Sequence, residues 1–158
     1  MGAEGKRAWV LRAEEQRSEG AGGRISMGTG ERVESHEDLD VYRLAYKVAM
    51  RVFSLSKAFP PEERYSLTDQ VRKCFRSVCS NTAEAWRKRR YEAAFVSKLN
   101  DAEAEAAEAQ TWIQFAVDCE YLSDELGEEL RGQYDQIIGK LVRMIVRPEP
   151  WLMRKSAT

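Results

Sequence analysis

Apolar residues recur at three- and four-residue steps through four successive stretches of this chain, a period that helices satisfy and strands do not. In the first stretch Leu39, Tyr42, Ala45, Ala49, Val52, Phe53 and Leu55 share a face, and the helix is expected to close at Phe59, because Pro60 and Pro61 cannot continue it. The second carries Leu67, Val71, Cys74, Phe75, Val78, Cys79, Thr82 and Trp86, with Ser66 or the acidic pair Glu62 and Glu63 available to cap its start, and runs out near Arg87. The third spans 91–122 with Phe95, Leu99, Ala102, Ala106, Ala109, Ile113, Ala116 and Val117 on one side, its alanines allowing another helix to come close. The fourth opens at Ser123, an N-cap, runs through Leu130, Tyr134, Ile137, Ile138, Leu141 and Ile145, and is stopped by Pro148 and Pro150.

Four long helices with short connections imply an all-α fold, an antiparallel up-and-down four-helix bundle over residues 36–147. Residues 1–35 hold seven of the ten glycines and no sustained period, which predicts a disordered N-terminal tail; Met27 is an alternative start. Residues 148–158 are expected to form a short C-terminal tail. No apolar run reaches the roughly 20 residues of a membrane span, and the N-terminus lacks a signal-peptide core, so a cytoplasmic protein is expected.

Charge is segregated along the chain. Across residues 64–90, eight basic residues face only Asp69 and Glu84, a net of +6, whereas across 91–135 twelve acids face only Lys98 and Arg131, a net of -10. The overall charge of -1 hides this dipolar pattern. Arg72, Lys73 and Arg76 lie within about one turn on one flank of the second helix, and Arg87, Lys88, Arg89 and Arg90 cluster at its C-terminal end, where cations complement the helix dipole. Two readings fit. The cations form a patch that neutralises backbone phosphates of RNA or DNA without base-specific geometry. Alternatively, basic and acidic flanks pair inside the bundle or across a subunit boundary. Aromatic interleaving is limited to Trp86 and Tyr91, which gives little support to a base-stacking single-strand binder.

Other constellations lack chemistry. His36 is the only histidine, which removes the usual basis for zinc sites and histidine general catalysis; no cofactor is implied and no enzymatic activity is expected. Glu103, Glu105 and Glu108 read as a solvated acidic face, not a metal site. Cys74 and Cys79, five residues apart on one helix, diverge too far to bond, and with Cys119 they make an odd, reduced set. Asn81 and Glu84 stand one turn apart in a run of small residues, a polar element able to fix register between helices or subunits.

The stretch from His36 through Glu37, Asp38, Leu39, Asp40, Val41, Tyr42, Arg43, Leu44 and Ala45 resembles the opening of the proteins encoded in intervening sequences of bacterial 23S rRNA genes. Phe59-Pro60, Glu62-Glu63, Leu67-Thr68-Asp69-Gln70 with Arg72 and Arg76, and Ser80-Asn81-Thr82-Ala83-Glu84-Ala85-Trp86 follow in the family's order, the last being similar to its Asn-Ile-Ala-Glu-Gly signature. Phe95, Leu99, Glu105, Gln110, Trp112 and Tyr121-Leu122 also fit, so the resemblance covers residues 36–146. Thr82 stands for the usual Ile and Ala85 for the usual Gly, so any close approach there must tolerate one methyl group. The resemblance implies a four-helix bundle assembled as a ring-like homopentamer, without known enzymatic activity and linked to nucleic acid. A further likeness, at the level of fold alone, is to the accessory protein of diversity-generating retroelements, whose basic surface binds a reverse transcriptase and nucleic acid. In a ring, heterologous contacts would set basic flanks against acidic ones and assign Asn81, Glu84 and Trp86 to structure or assembly. The expectation is a homo-oligomer that binds RNA or DNA through Arg72, Lys73, Arg76, Arg87, Lys88, Arg89 and Arg90. The alternative is an adaptor or accessory subunit that docks a protein partner such as a reverse transcriptase.

Overall fold

A computed structural model describes residues 33–153. Most of the tail expected over 1–35, the alternative start at Met27 and the last five residues lie outside the described residues. The protein is all-α: the described residues hold α1 (Asp40–Ser56), α2 (Asp69–Lys88), α3 (Glu92–Asp118) and α4 (Asp124–Val146), and no strand. One apolar core runs between them, and no described helix is long and apolar enough to cross a membrane.

A single 3-10 turn, His36–Asp38, leads into α1 and is closed by a reciprocal cap: Ser35 Oγ accepts from the Glu37 N–H, and the Asp38 carboxylate accepts from the Ser35 N–H at 2.9 Å. The buried row of α1 is Val41, Ala45, Val48, Val52 and Ser56. The expected stripe holds in part: Leu39, Ala45 and Val52 are buried, whereas Tyr42, Ala49, Phe53 and Leu55 are only half-buried, because Val41, Val48 and Ser56 fill the row and leave the aromatic rings on its flank. The helix also stops at Ser56, three residues before Phe59. Residues 57–59 form a turn whose last donor is the Phe59 N–H, bonded to the Ser56 carbonyl, since the residue before proline is pushed out of the α region.

The expected side-chain cap on the second helix is absent. The chain enters α2 through a 3-10 turn, Pro61–Glu63, and a π-helical turn, Arg64–Thr68, so the first donors of α2 already have partners upstream. Ser66 donates to the Glu63 carboxylate instead. All eight residues of the expected α2 stripe are buried.

Helix α3 is shorter than expected at both ends. It closes in a Schellman turn, with the Tyr121 N–H bonded to the Ala116 carbonyl at 2.8 Å and the Glu120 N–H to Val117 at 2.9 Å. Glu120 occupies the left-handed position of that turn, at φ 62°, where glycine is the usual residue. Ala102, Ala106, Ala109 and Ala116 are buried along α3. Helix α4 starts where the sequence places it, with Ser123 Oγ accepting from the Leu126 N–H at 3.2 Å. Gly127 is buried against Val117, and a Cβ there would overlap the Val117 side chain. At the centre the edge of Tyr134 meets Phe75, with ring centroids 4.7 Å apart. Past α4, Pro148 is buried, Trp151 and Leu152 pack on the core, and the Met153 N–H donates to the Arg89 carbonyl.

Candidate nucleic-acid interface

Helical geometry builds this surface. Residues 72, 76, 80 and 87 fall near one line along α2, and the eleven residue steps from Arg76 to Arg87 span about 16 Å of axis. The row therefore joins two clusters.

The first cluster is held in place by α1. Arg72 Nε donates to Ser56 Oγ at 2.9 Å, and its guanidinium lies 4.9 Å from the centroid of the Phe53 ring. Arg76 lies 5.6 Å from the same centroid, and Lys57 Nζ 4.8 Å. An aromatic face with its negative quadrupole thus gathers three cations. Beside them runs an open groove of about 500 Å³ lined by Asp69, Arg72, Lys73, Arg76, Ser77 and Ser80.

The second cluster sits where α2 ends. Arg87, Lys88 and Arg90 are exposed, whereas Arg89 folds back on Trp86, 3.8 Å from the ring centroid, and donates to the Trp86 carbonyl at 2.6 Å. Burial, then the neighbouring charges of Arg87 and Arg90, pull the Arg89 pKa below its ordinary value. Arg89 is accordingly the most committed of the four to local structure. Trp86 itself is buried and forms part of the core.

Asn81 and Glu84 are not buried. Both face Lys98 of α3, which approaches Glu84 at 2.9 Å, Asn81 at 3.3 Å and Asp101 at 3.4 Å. The hydrogen bond that Lys98 donates to Glu84 leads the causes that raise the Lys98 pKa. Charge pairing between α2 and α3 thus joins an acid of the basic stretch to a base of the acidic one. Arg131, the other base of the acidic stretch, donates to Gln114 at 2.8 Å. Among the described residues, none of Arg72, Lys73, Arg76, Arg87, Lys88, Arg89 and Arg90 forms an ion pair. Lys73 acts on α3 only at longer range, opposing the rise in the Glu105 pKa that burial and Glu108 produce.

The acids have other partners. Glu108 accepts from Trp112 Nε1 at 2.9 Å, Asp135 from Gln110 at 2.7 Å, Asp118 from Gln114 at 2.8 Å, and Glu129 holds Arg51 through two bonds of 2.6 and 2.8 Å. Cys74 and Cys79 are buried free thiols as expected, and burial raises both pKa values, that of Cys79 to about 11. Thr82 is buried and donates to the Val78 carbonyl at 2.7 Å, and Ala85 is fully enclosed, so its methyl group is accommodated. Phe53, Ser56 and Lys57 gather beside Arg72, which lines the groove, but do not stand out in the sequence as its neighbours, because only the packing of α1 on α2 brings them together.

The described residues thus form an all-α protein of four long helices whose α2 carries a basic row without ion pairs among those residues. The family model for the 23S rRNA-intervening sequence protein matches residues 37–143, and the chain belongs to that family. Among solved structures it is similar to a crystal structure of a protein with unknown function from the S23 ribosomal protein family of Bacteroides thetaiotaomicron. The two are 26% identical with a TM-score of 0.61, over 67% of this chain and 95% of that one. Comparison with curated proteins finds no match.

Proposed function

We propose that this protein is a non-enzymatic, homo-oligomeric helical bundle that binds RNA or DNA through backbone phosphates on the outward face of α2. The observation that carries the reading is the mismatch in pairing. Lys98 satisfies Glu84, whereas seven cations in the basic row have no carboxylate within ion-pair distance among the described residues. Phosphates are the abundant polyanion such a row suits, and Lys and Arg contact them without base geometry.

The up-and-down, antiparallel order of the helices belongs to the same proposal. It is supported by Lys98 reaching back to Asn81 and Glu84, and by Gln110 meeting Asp135 while Gln114 meets Arg131. Assembly into a closed ring, a pentamer by family resemblance, belongs to the same proposal, and the exposed apolar side chains of Tyr46, Met50, Phe115 and Val146 are available to such contacts. A ring would repeat the basic row and turn weak phosphate contacts into avidity.

The test is a fluorescence-anisotropy titration of nuclease-treated protein against a structured RNA and a duplex DNA, at low and near-physiological salt. Saturable binding that falls steeply with salt is expected. Absence of binding at low salt would overturn the reading and leave the basic row to a protein partner.

A further inference from the structure

The two halves of the basic row differ in construction. Arg87, Lys88 and Arg90 project into solvent, while Arg72 is fixed by Ser56 Oγ at 2.9 Å and, with Arg76 and Lys57, gathered within 5.6 Å of one ring centroid. Such gathering is unfavourable for the cations alone, because like charges repel. The groove is lined by Arg72, Lys73 and Arg76 against one carboxylate, Asp69, an excess of two positive charges, and Lys57 adds a further cation on the Phe53 ring that Arg72 and Arg76 share. Ser77 and Ser80 line the same groove as neutral hydroxyls.

That inventory suits one kind of anion better than another. A phosphodiester inside a strand carries one negative charge, whereas a phosphomonoester carries about −1.5 to −2 near neutral pH and three strong acceptor oxygens. Guanidinium groups meet phosphate oxygens in a bidentate fork, and a fork fixed beforehand loses little freedom on binding. We propose that the groove beside Phe53 is a phosphomonoester site that takes the terminal phosphate of a nucleic-acid strand, leaving the cluster at the end of α2 to hold the following backbone. This rests on the nucleic-acid reading above and adds a preference for strand ends.

The test compares labelled oligonucleotides of one sequence carrying a 5′-phosphate, a 3′-phosphate or hydroxyls at both ends, on the full chain at near-physiological salt. At least one phosphorylated form should bind about tenfold more tightly than the hydroxyl form, the size of one good charge-assisted bond. Arg76→Gln should erase that preference. Lys57→Gln, exposed, outside the core and on the same Phe53 ring as Arg72 and Arg76, should reduce it even if Arg76→Gln fails to fold, as judged by circular dichroism. Arg87→Gln with Arg90→Gln should weaken all three strands and keep the preference. Millimolar inorganic phosphate should abolish the preference, and a preference surviving it would overturn the assignment of the groove. Equal, saturable binding of all three strands would overturn the phosphomonoester site while leaving general phosphate binding intact. Failure of every strand to bind would overturn both.

Discussion

Along α2, the face carrying Val71, Phe75, Val78 and Trp86 is sealed by the other helices, while Arg72, Arg76 and Arg87 on the outward face have no carboxylate within ion-pair distance among the described residues. On the inner face each residue is explained by its neighbours: Phe75 meets Tyr134, and Thr82 returns its hydroxyl to Val78. On the outer face the internal contacts explain position but not charge. Phe53 and Ser56 account for where Arg72 points, yet an apolar or neutral side chain could pack there without gathering like charges. Folding therefore accounts for one face, and the excess of charge on the other asks for an anion.

Removing the inner face should cost stability and spare recognition. Phe75→Ala should lower unfolding free energy by about 3–5 kcal/mol, read from the urea midpoint, because it opens a cavity beside Tyr134. The folded fraction should bind nucleic acid as before. The converse change is Arg87→Ala, Lys88→Ala and Arg90→Ala together, with Arg89 kept because it is stacked on Trp86. Affinity should fall at least tenfold on every sequence alike and the salt slope should flatten by up to about three phosphates' worth, with the urea midpoint unchanged. Destabilisation without loss of binding would reverse the roles assigned to the two faces.

Smaller effects sharpen the inner half of the comparison. Glu120→Gly should raise stability by about 1 kcal/mol, because glycine takes the left-handed position at φ 62° without the penalty of a Cβ. Alkaline pH should act through the buried thiols. The Cys79 pKa rises from 9.0 to about 11 on folding, and that of Cys74 also rises, both chiefly by burial. Raised thiol pKa values mean that the unfolded chain ionises first. The Cys79 contribution to stability is complete below about pH 9 and is lost as pH rises through about 11, while that of Cys74, whose pKa is raised further, goes on being lost above that window. Urea midpoints should decline over that window, and Cys79→Ala should soften the decline. At pH 8 a thiol reagent should modify exposed Cys119 rapidly and the other two only on unfolding.

The sequence carried the fold further than the site, for physical reasons. The α2 stripe was fully legible because helical period and burial coincide there from Leu67 to Trp86. On α1, Ala45 and Val52 were legible, but the large rings of Tyr42 and Phe53 drew attention away from Val41 and Val48, since ring size signals burial while the rings serve the flank. The entry to α2 was hidden because a π-helical turn through Arg64–Thr68 leaves no cap to find. At the site, counting charges located the basic row. It could not show that Lys98 pairs with Glu84 and leaves that row uncompensated, nor that Lys57 and Ser56 join Arg72 from another helix. Those relations depend on which faces of two helices meet.

The central claim, that the outward face of α2 receives phosphates, is tested most directly by backbone amide shifts in a nitrogen-15 NMR titration with a short phosphorylated RNA. The account expects saturable changes at Arg72, Lys73, Arg76, Arg87, Lys88 and Arg90, with Lys57 among them and the acidic flank of α3 around Glu103 and Glu108 unmoved. Saturable shifts confined to α3 or α4, with the basic row silent, would contradict it.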